Sequence, residues 1–209
     1  LRLLPIHNYP AKTTKILHID IDPAEVNKNV IVDHKVVGDL SYILHNLNNG
    51  LENLNHSEWM EKVLAWKKEF PLKQIADDGE AVLPQYILET LDELTNGEAI
   101  LSTEVGQHQM WTAQYYNFRK KRSFVSSGGL GTMGFGLGSA LGSKIANPER
   151  TVVNVAGDGS FYMNMNELST IAKFNIPVIE LLFDNNVLGM VRQWQRMFYG
   201  KRFSQTVID

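Results

Sequence analysis

An acidic and an amide side chain stand where a parallel sheet would gather its ligands. The apolar run Thr151 to Ala156 leads into Gly157-Asp158-Gly159-Ser160, and the run Val178 to Phe183 leads into Asp184-Asn185-Asn186. Asp158 and Asn185 are 27 residues apart, which suits one strand-helix-strand unit with both residues at neighbouring strand ends. A carboxylate and an amide carbonyl are hard-oxygen donors suited to Mg²⁺, which takes few protein ligands and completes its octahedron with phosphate oxygens and water. A diphosphate group would fill those positions. Taken singly, Asp158 also reads as shaping a turn and Asn185 as ending a strand. Their shared topology and spacing favour the metal.

Two further stretches point to the same edge. Ser126 to Gly138 is Gly-rich and holds Gly129, Gly131 and Gly134 in G-x-G-x-x-G spacing, which invites a dinucleotide reading. That fingerprint wants an acidic residue at the end of the next strand to hold a ribose. The residue found there is Asp158 inside Gly-Asp-Gly-Ser, better built for a metal. Gly134, Gly138 and Gly142 also suit close helix packing, and the amides opening the following helix could hold phosphate. Gly106-Gln107-His108-Gln109 follows another strand end and adds three polar side chains. His108 either touches a ligand there or is a solvated loop residue.

Holding these tips requires alternating strands and helices. Lys15 to Asp22 alternates β-branched and polar residues and stops at Pro23, which suits a helix beginning near Ala24. A short strand over Lys35 to Val37 and a helix over Tyr42 to Leu47 follow. Ser57 can cap a helix over Glu58 to Phe70, where Trp59, Val63, Trp66 and Phe70 recur at helical spacing, and Pro71 ends it. The polar stretch up to Glu80 contains the turn signal Asp78-Gly79. Beyond it the pattern predicts helix (Leu83 to Asn96), strand (Ala99 to Val105), helix (Met110 to Tyr116), strand (Ser123 to Val125), helix (Phe135 to Ala146), strand (Thr151 to Ala156), helix (Asn166 to Phe174) and strand (Val178 to Phe183). This is an α/β chain whose sheet is mostly parallel, with helices on both faces and ligands at the carboxyl ends of the strands. The expected division is a partial α/β middle domain over 1–48, a linker with a helix over 49–80, and a ligand-binding domain over 81–209 that is incomplete at its carboxyl end.

Bulk properties exclude several classes. At 209 residues, 44% hydrophobic and 21% charged, the composition is that of a globular chain. A net charge of -3 offers no basic excess for nucleic acid or anionic lipid. The longest apolar runs fall far short of the ~20 residues a membrane helix needs. There is no cysteine, so disulfides and thiolate metal sites are excluded, which fits a reducing compartment. The chain opens without a start methionine or a secretion signal and stops at Asp209 in mid-pattern, so it is expected to be cut from a longer protein.

Read in order, Glu104-Val-Gly-Gln-His-Gln-Met-Trp111, Ser127-Gly-Gly-Leu-Gly-Thr-Met-Gly-Phe-Gly136, Gly157-Asp-Gly-Ser-Phe161, Asp184-Asn-Asn186 and Gly189-Met-Val-Arg-Gln-Trp194 resemble the acetolactate synthase (acetohydroxyacid synthase) large subunits of the thiamin-diphosphate enzyme family. The resemblance covers nearly the whole chain. The Gly-Asp-Gly to Asn-Asn pairing marks the larger family, while Gly-Gln-His-Gln-Met-Trp and Gly-Met-Val-x-Gln-Trp narrow it. Two departures occur: Asp184 stands where the family's Asn-Asn usually begins, leaving Asn185 in the metal position, and Val187 replaces a more usual polar residue.

The resemblance implies a protein of three α/β domains, with the thiamin-diphosphate-binding fold at 81–209 and a middle domain that holds a non-redox FAD. Asp158 and Asn185 would bind Mg²⁺ by side chain and Val187 by its main-chain carbonyl. Gly106, Gln107, His108, Gln109, Gly129, Gly157, Gly159, Ser160, Leu188 and Gly189 would lie along the cofactor, with Met133 as the apolar wedge that keeps it bent. Met190, which would also touch the cofactor, and Trp194 would line the substrate pocket, Trp194 bearing on the choice of second 2-ketoacid. Asp20 and Asp39 would be strand-end contacts to FAD. The implied reaction decarboxylates pyruvate on thiamin diphosphate and joins the two-carbon unit to a second 2-ketoacid, a step of branched-chain amino acid biosynthesis. The activating glutamate would come from the amino-terminal domain of a partner subunit, so no residue here is assigned as catalytic and the piece alone would be inactive. A homodimer or higher homo-oligomer with shared active sites is implied, with room for a regulatory small subunit and no nucleic-acid or membrane partner. The compartment would be cytoplasmic, or the plastid in a plant. The alternatives are another thiamin-diphosphate decarboxylase, a pyruvate oxidase, or a non-catalytic dinucleotide-binding module.

Overall fold

A computed structural model of the protein describes residues 14–52, 54–72 and 82–208. The chain divides into two compact units after Glu69. The expected Asp78-Gly79 turn lies outside the described residues. Among those described, no helix is long and apolar enough to cross a membrane.

In the first unit β1 (Leu17–Asp20) pairs in parallel with β2 (His34–Val37), Leu17 facing His34 and Asp20 facing Val37. The helix expected near Ala24 is a single 3₁₀ turn, Pro23–Glu25, capped by the Asp22 side chain. It stops because Val26 returns to extended backbone and Asn27 takes a left-handed φ of 63°. Helix α1 runs over Leu40–Gly50, longer than the periodicity suggests, because Asp39 Oδ1 accepts from Tyr42 N at 3.0 Å and caps it. Helix α2 covers Ser57–Glu69. The oxygen that serves its start belongs to Asn55, which accepts from Ser57 N at 2.9 Å, rather than to Ser57 itself.

The second unit holds a parallel sheet in the order β4-β3-β5-β6, where β3 is Ile100–Thr103, β4 Phe124–Ser126, β5 Val152–Gly157 and β6 Ile179–Phe183. The central pair β3 and β5 is buried throughout except for Gly157, and the polar residues it carries, Ser102, Thr103 and Asn154, are buried with the apolar ones. Side-chain alternation then divides the core. Leu101, Val153 and Val155 pack with Leu88 of helix α3 (Pro84–Thr95) and with Tyr116, which follows helix α4 (Gln107–Tyr115). Ile100 and Val152 pack with Ala140 of helix α5 (Phe135–Ala146). The sheet is thus covered on both faces, as expected from sequence.

Helix α4 starts at Gln107, three residues before the expected Met110. The helix expected at Asn166 opens as a 3₁₀ turn, Met165–Glu167, before α7 (Leu168–Phe174). Two helices were not anticipated: the short α6 (Asp158–Phe161) and α8 (Gly189–Phe198). Neither has a side-chain cap at its start, so no capping signal announces them. The glycines of α5 also sort differently from the expectation. A Cβ on Gly142 would meet nothing within 4 Å and one on Gly138 would meet only ordinary contact at 3.9 Å. One on Gly136 would lie 2.6 Å from Glu104 N and 2.9 Å from Glu104 Cδ. Gly136 is therefore the residue that lets α5 approach the sheet. Gly134, with φ +85°, makes the left-handed turn into that helix.

Candidate active site

The carboxyl ends of β3, β5 and β6 open on a pocket of about 350 Å³. Asp158, the first residue of α6, is 3% exposed. Its Oδ1 accepts from Gly159 N at 2.8 Å, and its Oδ2 accepts from Asn185 N at 3.2 Å and Asn186 N at 2.5 Å. Three main-chain amides thus hold the carboxylate. Asn186 takes a left-handed φ of 56°, folding the loop after β6 back onto it. Asn185 Oδ1 accepts from Val187 N at 3.1 Å, an Asx-type turn that orients this side chain. The two tips expected from spacing are therefore joined.

Among the described residues no cluster of three or more His, Cys, Asp or Glu could hold a metal. The donors at hand are one carboxylate, one amide oxygen and main-chain carbonyls, lining a pocket with space beside them. That set fits a hard cation that takes few protein ligands and shares the rest with phosphate and water, and it does not fit zinc or a soft metal.

His108 belongs to the first turn of α4 and is 5% exposed, which removes the solvated-loop alternative. A Cβ on Gly106 would lie 2.7 Å from its ring and one on Gly157 would lie 2.9 Å away, so the imidazole is sandwiched between two bare backbones. Burial holds the imidazolium pKa down to about 4, against smaller opposing effects from the Glu104 carbonyl and the Asp158 charge. The ring is neutral at neutral pH, and its Nε2 is buried without a partner among the described residues. An orphaned acceptor in this pocket leaves a place for a donor on a bound molecule.

Gln107 Nε2 donates to Gln193 Oε1 at 2.8 Å, tying α4 to α8 across the pocket. Gly106, Gly159 and Ser160 line the pocket from the strand ends, and Met133 from the turn before α5. Val187, Leu188, Gly189, Met190 and Trp194 line it from α8 and the loop before it. Two expected contacts fall elsewhere. Gln109 turns to β4, donating to Ser126 Oγ at 2.6 Å, because successive residues of a helix face different ways. Gly129 is exposed in the turn after β4 and does not line the pocket. Asp20 and Asp39 belong to the first unit. Asp20 Oδ1 accepts from Asp22 N at 2.9 Å, which with His18 nearby lowers its pKa, and Asp39 caps α1.

Spacing gave no signal for Glu104. It is fully buried, accepts from Gly134 N at 2.7 Å and Leu137 N at 3.1 Å, and receives Ser160 Oγ at 2.9 Å. The amides that open α5, expected to be available to phosphate, are therefore engaged in part by the protein's own carboxylate. Trp111 and Phe183, 5.7 Å apart between ring centroids, form an apolar wall of the pocket that strand-end reasoning also missed.

A parallel sheet whose strand ends place an acid, an amide and a shielded imidazole around one pocket is an α/β domain with its candidate ligand site at the carboxyl ends of the strands. The family model for the thiamine pyrophosphate enzyme, C-terminal TPP binding domain, matches residues 104–209, and the chain belongs to that family, thiamine pyrophosphate being thiamin diphosphate. It is 48% identical over 204 residues to "Acetolactate synthase, chloroplastic" of Arabidopsis thaliana, covering 95% of this chain and 30% of that protein. It is 47% identical over 211 residues to "Probable acetolactate synthase large subunit" of Methanococcus aeolicus, covering 92% of this chain and 35% of that protein. The chain thus spans about a third of the length of the curated relatives it matches.

Proposed function

We propose that this chain is part of an acetolactate synthase catalytic subunit, contributing the half-site that holds thiamin diphosphate through Mg²⁺. The observation that carries the reading is the convergence of Asp158 with Asn185 and Asn186 at the mouth of the pocket. The identity to acetolactate synthases from a plant and an archaeon supports the choice among thiamin-diphosphate enzymes.

On this reading Asp158 and Asn185 bind the ion by side chain and the Val187 carbonyl is its third protein ligand. Residues 1–48 belong to a middle domain that holds FAD, with Asp20 and Asp39 near it, and residues 81–209 belong to the cofactor-binding domain. Bound thiamin diphosphate supplies the nucleophilic carbon and the electron sink for decarboxylating a 2-ketoacid. Met133 presents an apolar side chain to the cofactor, and Trp111 with Phe183 keeps water from that side of the pocket. Neutral His108 offers a bare Nε2 to a donor on the cofactor or substrate. Trp194, packed at a tilt against Phe198 with ring centroids 4.9 Å apart, borders the space for the second 2-ketoacid. A second copy of the protein supplies the activating glutamate, a small subunit can regulate the assembly, and the compartment is the plastid in a plant and the cytoplasm elsewhere.

The test is acetolactate formation from pyruvate by the full-length protein. Turnover that needs both thiamin diphosphate and Mg²⁺, with acetolactate as product, is the expected result. Acetaldehyde or acetyl phosphate as the main product would move the protein to a decarboxylase or an oxidase.

A further inference from the structure

Glu104 follows β3 and is fully buried, yet among the described residues no cation pairs with it. A buried carboxylate of this kind is tolerated only where hydrogen bonds replace its hydration. Here they come from two separate segments. Gly134 N and Leu137 N belong to the start of α5, and Ser160 Oγ belongs to α6. Gly134 N also lies 3.3 Å from Ser160 Oγ, and Asn164 Nδ2 donates to Gly134 O at 3.1 Å, so the Gly134 residue is held at both its N–H and its C=O.

What these segments carry matters more than the bonds themselves. Met133 immediately precedes Gly134, and Asp158 is two residues before Ser160; all but Gly134 line the pocket, whereas Glu104 does not. Glu104 therefore acts on the pocket only through others. The approach is possible because Gly136 has no side chain: a Cβ there would lie 2.9 Å from Glu104 Cδ. A carboxylate at a helix N-terminus is favoured by the helix dipole, and here it also bridges to a second loop.

We propose that Glu104 is a positioning residue that locks the turn bearing Met133 to the turn bearing Asp158, so that the apolar wall and the acid of the pocket keep a fixed spacing. The inference rests on the cofactor reading above in what it implies for binding, but the lock itself belongs to the ligand-free protein. Loosening the lock at Glu104 leaves every group that faces the pocket in place while weakening their joint action.

The test compares full-length wild type, Ser160→Ala, Glu104→Gln and the double variant. Ser160→Ala removes the hydroxyl that ties the loops while the α5 amides keep their carboxylate acceptor; because Ser160 also lines the pocket, this variant is read by amide exchange, and it serves if Glu104→Gln fails to fold. Amide exchange in the ligand-free protein is the first readout. Exchange at Gly134 and Leu137 is expected to quicken about tenfold in Ser160→Ala while amides of β3 and β5 stay at wild-type rates. Titration with thiamin diphosphate at saturating Mg²⁺ is the second. Its Kd is expected to rise about fivefold to tenfold in Glu104→Gln, whose side chain does not face the pocket, and Gly134 and Leu137 in the double variant are expected to exchange no faster than in Glu104→Gln alone. Wild-type exchange at Gly134 and Leu137 in Ser160→Ala, additive gains in exchange rate in the double variant, or a wild-type Kd in Glu104→Gln would overturn the lock. Wild-type protein that binds no thiamin diphosphate would overturn the functional reading instead, and the exchange readout would still decide the role of Glu104.

Discussion

The carboxylate of Asp158 accepts the main-chain amides of both Asn185 and Asn186 through one oxygen, at 3.2 and 2.5 Å. Two strand ends separated by a whole helix therefore behave as one structural unit. The amides orient the acid without neutralising it through a cation, and the lone pair left on Oδ1 keeps its capacity for a metal ion. The amide side chain is held in turn by Val187 N.

His108 makes stability depend on acid. Its pKa falls from 6.5 to about 4 on folding, chiefly through burial. Between those values the unfolded chain binds the proton and the folded one does not, so stability rises with pH through this window and is lost as pH falls toward 4. The size is on the order of 3 kcal/mol. Thermal melts of full-length wild type and His108→Gln at pH 4.5 and 7 check this. The variant should show a smaller drop at pH 4.5, and an equal drop in both would assign the acid lability to other groups.

Glu180 runs the other way. Burial raises its pKa from 4.5 to about 7; the two hydrogen bonds from Asn154 Nδ2 oppose the rise and the nearby Glu104 charge adds to it. The folded state binds the extra proton here, so stability is full below about 4.5 and declines as pH climbs through about 7. Glu180→Gln removes this penalty and should gain about 1 kcal/mol at pH 8, discounted for solvent screening, with little gain at pH 5. Chemical denaturation at the two pH values measures it. A gain equal at both would show that charge is not the cause.

Gly159 is pressed from outside. A Cβ there would lie 2.6 Å from both Leu188 Cδ2 and Ile208 Cδ1. Both atoms are the far ends of flexible side chains, so they can rotate aside while Leu188 N stays bonded to Thr206 O and Ile208 N to Asn186 O. Gly159→Ala should therefore lower stability by no more than about 1 kcal/mol. A melting temperature far below wild type would show that the two side chains cannot move.

Trp194 bears on specificity under the proposed function. The indole lines the pocket and packs at a tilt against Phe198. Trp194→Ala should change the ratio of acetolactate to acetohydroxybutyrate, formed from pyruvate mixed with 2-ketobutyrate, by about tenfold. A wild-type ratio would place the second ketoacid elsewhere.

These residues differ in how plainly the sequence announced them. Asp158 and Asn185 were legible because each ends a run of apolar residues, and strand ends of parallel sheets converge whatever the intervening helix contains. Gln109 was misplaced because four polar or glycine residues in a row read as one loop, whereas a helix starting at Gln107 turns Gln109 toward Ser126. Gly136 could not be told from Gly138 or Gly142, since only proximity to Glu104 and Asn154 distinguishes them. Glu104 itself was silent: its partners lie 30, 33 and 56 residues away, and no local periodicity encodes a carboxylate that caps a distant helix. The first residues of α8 offer no capping side chain, and the signal its sequence does carry is the helical spacing of Met190, Val191, Trp194, Met197 and Phe198.

The central claim is that Asp158 and Asn185 hold the ion that grips a diphosphate. Titrating full-length wild type and Asp158→Ala with thiamin diphosphate, with and without Mg²⁺, tests it most directly. Wild type should bind at least about 100-fold more tightly with the metal than without it, and Asp158→Ala should bind equally weakly in both conditions. Metal-dependent binding that survives in Asp158→Ala would contradict the claim.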